Sequence, residues 1–210
     1  MGRKRHQDAE YAFIHIPKTA GTSFKDEIES ITKIEFHGHG VLFRYVKGLK
    51  QIIVLRDPID RFTSAFFYIK KNTKSKSRLY ETPEELIQGL IKFSPDGYRF
   101  IRDTRDVNGV KIFTNWVFHP QIGWVDDPYR VLLFENLNQE VDMLNNELDI
   151  SIDLPKKNVS ERNEFEYSDK SIEYLKVIYK EDFKLYDEIS KYEYNKRNHE
   201  LKQGLIKKII

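Results

Sequence analysis

Cysteine is absent from the 210 residues. That excludes a disulfide framework and thiolate-bound metal, and it is compatible with a reducing compartment without requiring one. Long apolar runs are absent too. No stretch approaches the ~18 residues of a membrane span, and the basic, then polar start MGRKRHQDAEYAF lacks the apolar segment of a signal peptide. Taken as a complete chain, the protein is expected in the cytoplasm with no membrane span; a trimmed chain would read the same. Net charge is small, since 35 basic residues against 33 acidic leave +2. No global field therefore points to nucleic acid, and an anion site has to be local. The remainder, 40% apolar and 32% charged, is the composition of an ordinary folded chain. Its length suits one domain with a sizeable core better than two.

No internal repeat and no long linker interrupts the chain. Apolar runs at 11–16, 51–55 and 129–134 read as strands, the second covered on both faces, and 33–36 as a short one. Helical patterning is expected from 22 to about 30. A further helix opens at Asp57-Pro58, where Asp can cap and Pro suits the first turn. Its Phe62, Ala65, Phe66 and Ile69 recur at i, i+3, i+4 and i+7. Thr82-Pro83-Glu84-Glu85 is a capping box that starts another. Helices are also expected over 110–118, around Leu137 to Leu148, and as one long pattern from about 168 to 192. Strands separated by helices predict an α/β fold, a single domain with a mostly parallel central sheet flanked by helices. The domain is expected over 11–192, between a basic polar arm at 1–10 and a polar, basic tail at 193–210. Residues 70–78 (KKNTKSKSR) read as a solvated basic loop, with binding of an anionic acceptor as the alternative.

Two strand-to-helix junctions carry the chemistry. In FIHIPKTAGTSF (13–24) such a turn aims backbone N–H groups and the positive end of a helix dipole at one spot. Gly21 permits close approach of the backbone. Thr19, Thr22 and Ser23 add hydroxyls, and Lys18 adds a mobile charge, a set suited to phosphate or sulfate. The nucleotide-triphosphatase loop G-x-x-x-x-G-K-[ST] is absent, because the lysine precedes the glycine. Nor does an apolar strand end in the Asp expected for magnesium; the nearest analogue ends Phe134-Glu135. In VLRDPIDRFTSAF (54–66), Arg56 closes a strand and Ser64 follows inside the helix. Arginine is the fork-shaped donor for phosphate oxygens, and a serine hydroxyl can share them. Anion sites on adjacent strand ends suggest one ligand with phosphates at two places. The plainer alternative is that Arg56 and Arg61 pair with Asp57 and Asp60 on the surface.

Together the two junctions resemble the membrane-type carbohydrate sulfotransferases and their bacterial relatives. FHGH before the second junction, then FHPQIGWV, LLFENL, LPKKNVS and YKEDFKLY, fall in the order that family shows, so the likeness spans about 13–186. The Golgi members' membrane anchor and luminal cysteines are missing, and with them the implication of Golgi residence or a glycosaminoglycan acceptor. The resemblance implies a P-loop-like phosphosulfate site and the donor 3′-phosphoadenosine 5′-phosphosulfate. Lys18, Thr19, Ala20, Gly21, Thr22 and Ser23 would hold its 5′-phosphosulfate, and Arg56 with Ser64 its 3′-phosphate. Asn158 and Ser160 fall where the family has a loop near the nucleotide. Lys18 would reach the oxygen that bridges phosphate and sulfuryl group. No metal is implied. The acceptor implied is a hydroxyl of a carbohydrate.

Histidine is the side chain best matched to removing a hydroxyl proton near neutral pH. By the family pattern the base is His39, directly after glycine, with His37 in support; in an extended segment the two point to the same side. Glu35 is the rival base. His15, inside a strand, reads as structural. His119 and Gln121 are candidates for the acceptor cleft or simply for the end of a helix. His-x-His is also a metal-ligand spacing, but the sequence offers no evident third ligand. The sequence is also compatible with two other functions. One is an ATP-dependent phosphoryl-transfer enzyme, and the other a non-catalytic nucleotide-binding module.

Overall fold

The structure, a computed structural model, describes residues 8–38, 46, 48–72, 80–93, 104–105, 111–113, 116–154 and 165–209. Tyr-Ala-Phe-Ile forms β1 (Tyr11–Ile14), with every residue buried. It pairs in parallel with β2 (Ile34–His37) on one side and β3 (Lys50–Leu55) on the other. A short antiparallel ribbon, β4 (Thr104–Arg105) and β5 (Lys111–Phe113), stands apart from this sheet. The last strand, β6 (Arg130–Leu133), pairs in parallel with β3. The main sheet is thus all-parallel, in the order β2-β1-β3-β6.

The helices are α1 (Gly21–Ile28), α2 (Pro58–Asn72), α3 (Pro83–Phe93), α4 (Leu137–Leu148), α5 (Asp169–Ile178), α6 (Lys180–Ser190), α7 (Tyr194–Lys202) and α8 (Leu205–Ile209). Alternation along the strands divides the core between the two faces of the sheet. Phe13, Ile52, Val54 and Leu132 meet Phe24 and Ile28 of α1 and Val141, Leu144 and Leu148 of α4. Ala12, Ile14, Ile53, Leu55, Val131 and Leu133 meet Leu185 and Ile189 of α6 and the C-terminal helices. A third cluster joins α2, α3 and α5 through Phe62, Phe66, Leu86, Leu90 and Leu175. Two expected helix starts take the predicted form. Asp57 Oδ1 accepts from the N–H groups of Ile59 and Asp60, each at 2.9 Å. Thr82 Oγ1 accepts from Glu85 N at 3.1 Å, while Glu85 reaches back to Glu81 N at 2.8 Å. No helix among the described residues is long and apolar enough to cross a membrane.

Three expectations change. Residues 110–118 are not one helix: 111–113 form β5, where Ile112 and Phe113 favour extended backbone, and Trp116–Phe118 form a 3₁₀ turn. The long pattern over 168–192 breaks at Tyr179, whose backbone (φ −103, ψ 26) leaves the helix. The break lets Leu175 and Ile178 of α5 enter one core cluster while Leu185 and Ile189 of α6 enter another. The tail expected from 193 onward is in fact helical over 194–202 and 205–209 and completes the core, with Leu201, Leu205, Ile206 and Ile209 buried.

The tail also covers the edge of β6 that faces away from β3. Arg197 donates to Val131 O at 2.9 Å and to both oxygens of Glu140 at 2.8 and 3.0 Å. Glu140 in turn accepts from Leu133 N at 2.8 Å. A buried ion pair therefore occupies backbone groups that an edge strand would otherwise offer to another chain. Removing one partner leaves a buried charge unmatched, which costs about 3–5 kcal/mol. Arg197→Ala is accordingly expected to lower the melting temperature by about 10 °C. A negligible shift in thermal unfolding would make 193–210 an appendage after all.

Candidate anion-binding site

From β1 the chain passes first to one flank of the sheet and then, through β3, to the other. The connections after β1 and β3 diverge at such a point, and the crevice between their C-terminal ends is where open parallel sheets bind ligands. Both candidate junctions lie there.

The first junction is a tight loop. Lys18 and Ala20 both have φ 66, in the left-handed region, which costs a non-glycine residue roughly 1–2 kcal/mol. Thr19 is buried and spends its hydroxyl proton on Ile16 O at 2.9 Å, so that hydroxyl shapes the loop. Ala20 stands at the N-cap of α1, which has neither a side-chain cap nor an acidic residue in its first turn. The positive helix end is thus left without a carboxylate of its own. Ser23 is buried and Thr22 exposed. Gly21 has a reason that the sequence did not show. A Cβ there would lie 1.7 Å from Cδ2 of the His15 ring, so the close approach that requires glycine is that of His15. His15 is buried, with its ring 5.6 Å from that of Phe36.

The second junction brings a second cation to the loop. Arg56 Nη1 donates to Lys18 O at 3.4 Å, and the guanidinium lies 4.1 Å from the centre of the Phe134 ring. Lys18 Nζ stands 4.4 Å from the centre of the Tyr68 ring. Burial, and then the charge of Arg56, hold the Lys18 ammonium below the ordinary lysine range. Two cations thus converge at an uncapped helix start. Arg61, Ser64 and Tyr68 recur at i, i+3 and i+7 on α2 and so share a face. Arg61 touches Pro17 O at 3.5 Å and Tyr68 touches Lys18, which puts half-buried Ser64 between two residues that border the loop.

The surface pairing of Arg61 with its acidic neighbours is not seen. Arg61 is fully buried, donates to Val117 O at 3.0 Å and His119 O at 2.7 Å, and faces Asp182 at 3.9 Å. Asp57 caps α2 instead, and its N–H donates to Glu135 Oε1 at 3.0 Å.

Of the acceptor-side residues, Glu35 and His37 lie on one side of β2, half-buried, with Glu35 Oε2 3.2 Å from His37 Nε2. His39, Asn158, Ser160 and residues 73–78 of the expected basic loop lie outside the described residues, while 70–72 are not loop but the last residues of α2. Gln121 does not line an acceptor cleft. It is 1% exposed and turned inward, with Oε1 accepting from Arg56 N at 3.0 Å and Nε2 donating to Arg56 O at 2.8 Å. His119 is exposed, with its ring 6.3 Å from that of Trp124. Partial desolvation, and then Arg61, hold its pKa below the usual value. Arg61, Tyr68 and Asp182 were not read from the sequence as site residues. The only short-range signal was the helical spacing that sets Arg61 and Tyr68 on the face of Ser64. Nothing local marks Asp182.

Set against known protein families, curated proteins and solved structures, the chain has no match.

Proposed function

We propose that the chain is a sulfotransferase that moves the sulfuryl group of 3′-phosphoadenosine 5′-phosphosulfate to a carbohydrate hydroxyl. The observation that carries this reading is the convergence of Lys18 and Arg56 at the start of α1, with Arg56 Nη1 3.4 Å from Lys18 O. Two cations on two strand ends suit a ligand with separated anionic groups. A nucleotide with a 5′-phosphosulfate and a 3′-phosphate is such a ligand, and the motif resemblance points to the same one.

In this reading the donor supplies an activated sulfuryl group, and the chain's residues hold and neutralise it. The loop of Lys18, Thr19, Ala20, Gly21, Thr22 and Ser23 binds the 5′ end, with Thr19 contributing backbone alone. Arg56 and Ser64 bind the 3′-phosphate. His39 takes the proton of the acceptor hydroxyl as its oxygen bonds to sulfur. The bond from sulfur to the bridging oxygen breaks, and Lys18 neutralises the charge that this oxygen gains. The direct test is transfer of radiolabelled sulfate from the donor to a glycan panel. Label in a glycan is the expected result; donor that stays intact with every acceptor class, tyrosine peptides and small alcohols included, would contradict it.

Arg56→Ala tests the assignment of the 3′ end. It removes a charge-assisted hydrogen bond worth ~1.5–3 kcal/mol. Wild type is expected to bind adenosine 5′-phosphosulfate, which lacks the 3′-phosphate, far more weakly than the full donor, and Arg56→Ala to distinguish the two hardly at all. Ser64→Ala is expected to act in the same direction, but less. Equal discrimination by wild type and Arg56→Ala, measured by calorimetry, would move the 3′-phosphate elsewhere.

A further inference from the structure

We propose that Gln121 is a positioning residue for Arg56, and that Gln121, Asp182 and Arg61 form one buried connection between the two anion-binding junctions. The proposal rests on the reading of Arg56 as the 3′-phosphate ligand.

The side-chain amide of Gln121 bonds both backbone groups of Arg56, accepting from its N–H at 3.0 Å and donating to its carbonyl at 2.8 Å. A neighbouring strand would make this same pair of bonds. It is supplied here by a side chain, one residue beyond Leu55, where the pairing of β3 with β6 ends at Leu55 and Leu133. With N–H and carbonyl both fixed, the Cα–Cβ direction of Arg56 is fixed as well, and the guanidinium is aimed by the backbone as much as by its own rotamer. Held in this way, an arginine loses less freedom when a phosphate arrives.

Gln121 is held in its turn. Its N–H donates to Asp182 Oδ2 at 2.7 Å, and that of Ile122 donates to Oδ1 at 2.9 Å. Asp182 is 1% exposed and faces Arg61 at 3.9 Å. Arg61 reaches Pro17 O at 3.5 Å, immediately before Lys18. The contacts therefore run from Arg56 through Gln121, Asp182 and Arg61 to Pro17, with both ends bearing on the cations of the site. Buried polar networks of this kind rigidify what they join. The acidic member comes from α6, far from either junction in sequence, so the register of α6 sets the geometry of the nucleotide site.

The test compares adenosine 3′,5′-bisphosphate with adenosine 5′-phosphate by calorimetry, alongside thermal unfolding. Wild type is expected to prefer the bisphosphate. Gln121→Met, similar in volume but unable to make either bond, is expected to narrow that preference about tenfold while changing affinity for adenosine 5′-phosphate by no more than ~2-fold. Gln121→Asn keeps the amide but withdraws it by one methylene. It is expected to narrow the preference in the same sense, and it carries the test should Gln121→Met fail to fold. A merely structural glutamine would lower the melting temperature and weaken both ligands alike. That result, or an unchanged preference, overturns the proposal. A wild type without any preference for the bisphosphate overturns the reading of Arg56 itself, and the proposal falls with it.

Discussion

His39→Ala is expected to cut sulfuryl transfer by about 10²–10⁴-fold while leaving affinity for adenosine 3′,5′-bisphosphate nearly intact. A general base touches the proton of the acceptor and not the nucleotide, so its loss separates turnover from donor binding. In wild type the rate should rise with pH as this base loses its proton. The rising limb should disappear in the variant. The controls come from β2, where Glu35 Oε2 and His37 Nε2 lie 3.2 Å apart. Glu35→Gln and His37→Ala should each do less than His39→Ala. If Glu35→Gln abolishes transfer while His39→Ala keeps most of it, the base is the carboxylate.

Lys18→Ala is expected to lower turnover by about 10²–10³-fold, more than it lowers donor affinity. Its charge matters most when negative charge gathers on the leaving oxygen, which is later than binding. The free ammonium rests against the Tyr68 ring, and burial and Arg56 hold its pKa down. A bound anion favours the charged lysine and raises its pKa. Binding therefore takes up a proton, and affinity falls as pH rises, starting below the ordinary lysine value of about 10.4. Lys18→Arg keeps the charge throughout and should flatten that alkaline limb. Turnover that survives Lys18→Ala, with only affinity lost, would remove the lysine from the transfer step.

The sheet was legible because its strands are apolar runs and its helices begin with local signals. QIIVL has apolar neighbours on both faces, and Asp57-Pro58 and Thr82-Pro83 state their helix starts within four residues. What the sequence concealed depends on contacts between distant segments. Arg61 in DPIDRF looks like a surface charge, and its acidic partner Asp182 lies on α6. Gln121 in FHPQ looks free to meet a ligand, but its amide completes the end of β3. Residues 193–210 look like a basic tail because Leu201, Leu205, Ile206 and Ile209 are sparse among lysines, yet these four close one face of the core. At the candidate site the motif residues Lys18 and Arg56 were legible as cations at strand ends. The residues that hold them in place were not, since hydrogen bonding across long separations leaves no local pattern.

The central claim is most directly tested by thermal unfolding with adenosine 3′,5′-bisphosphate in the absence of metal, set beside ATP with magnesium. A ligand at ~100 times its dissociation constant adds ~2.7 kcal/mol to stability. For a chain of this length that corresponds to a rise of about 5–10 °C in melting temperature. The sulfotransferase account predicts this rise with the bisphosphate alone and little change with ATP and magnesium. Stabilisation by ATP and magnesium with none from the bisphosphate would contradict it and favour phosphoryl transfer.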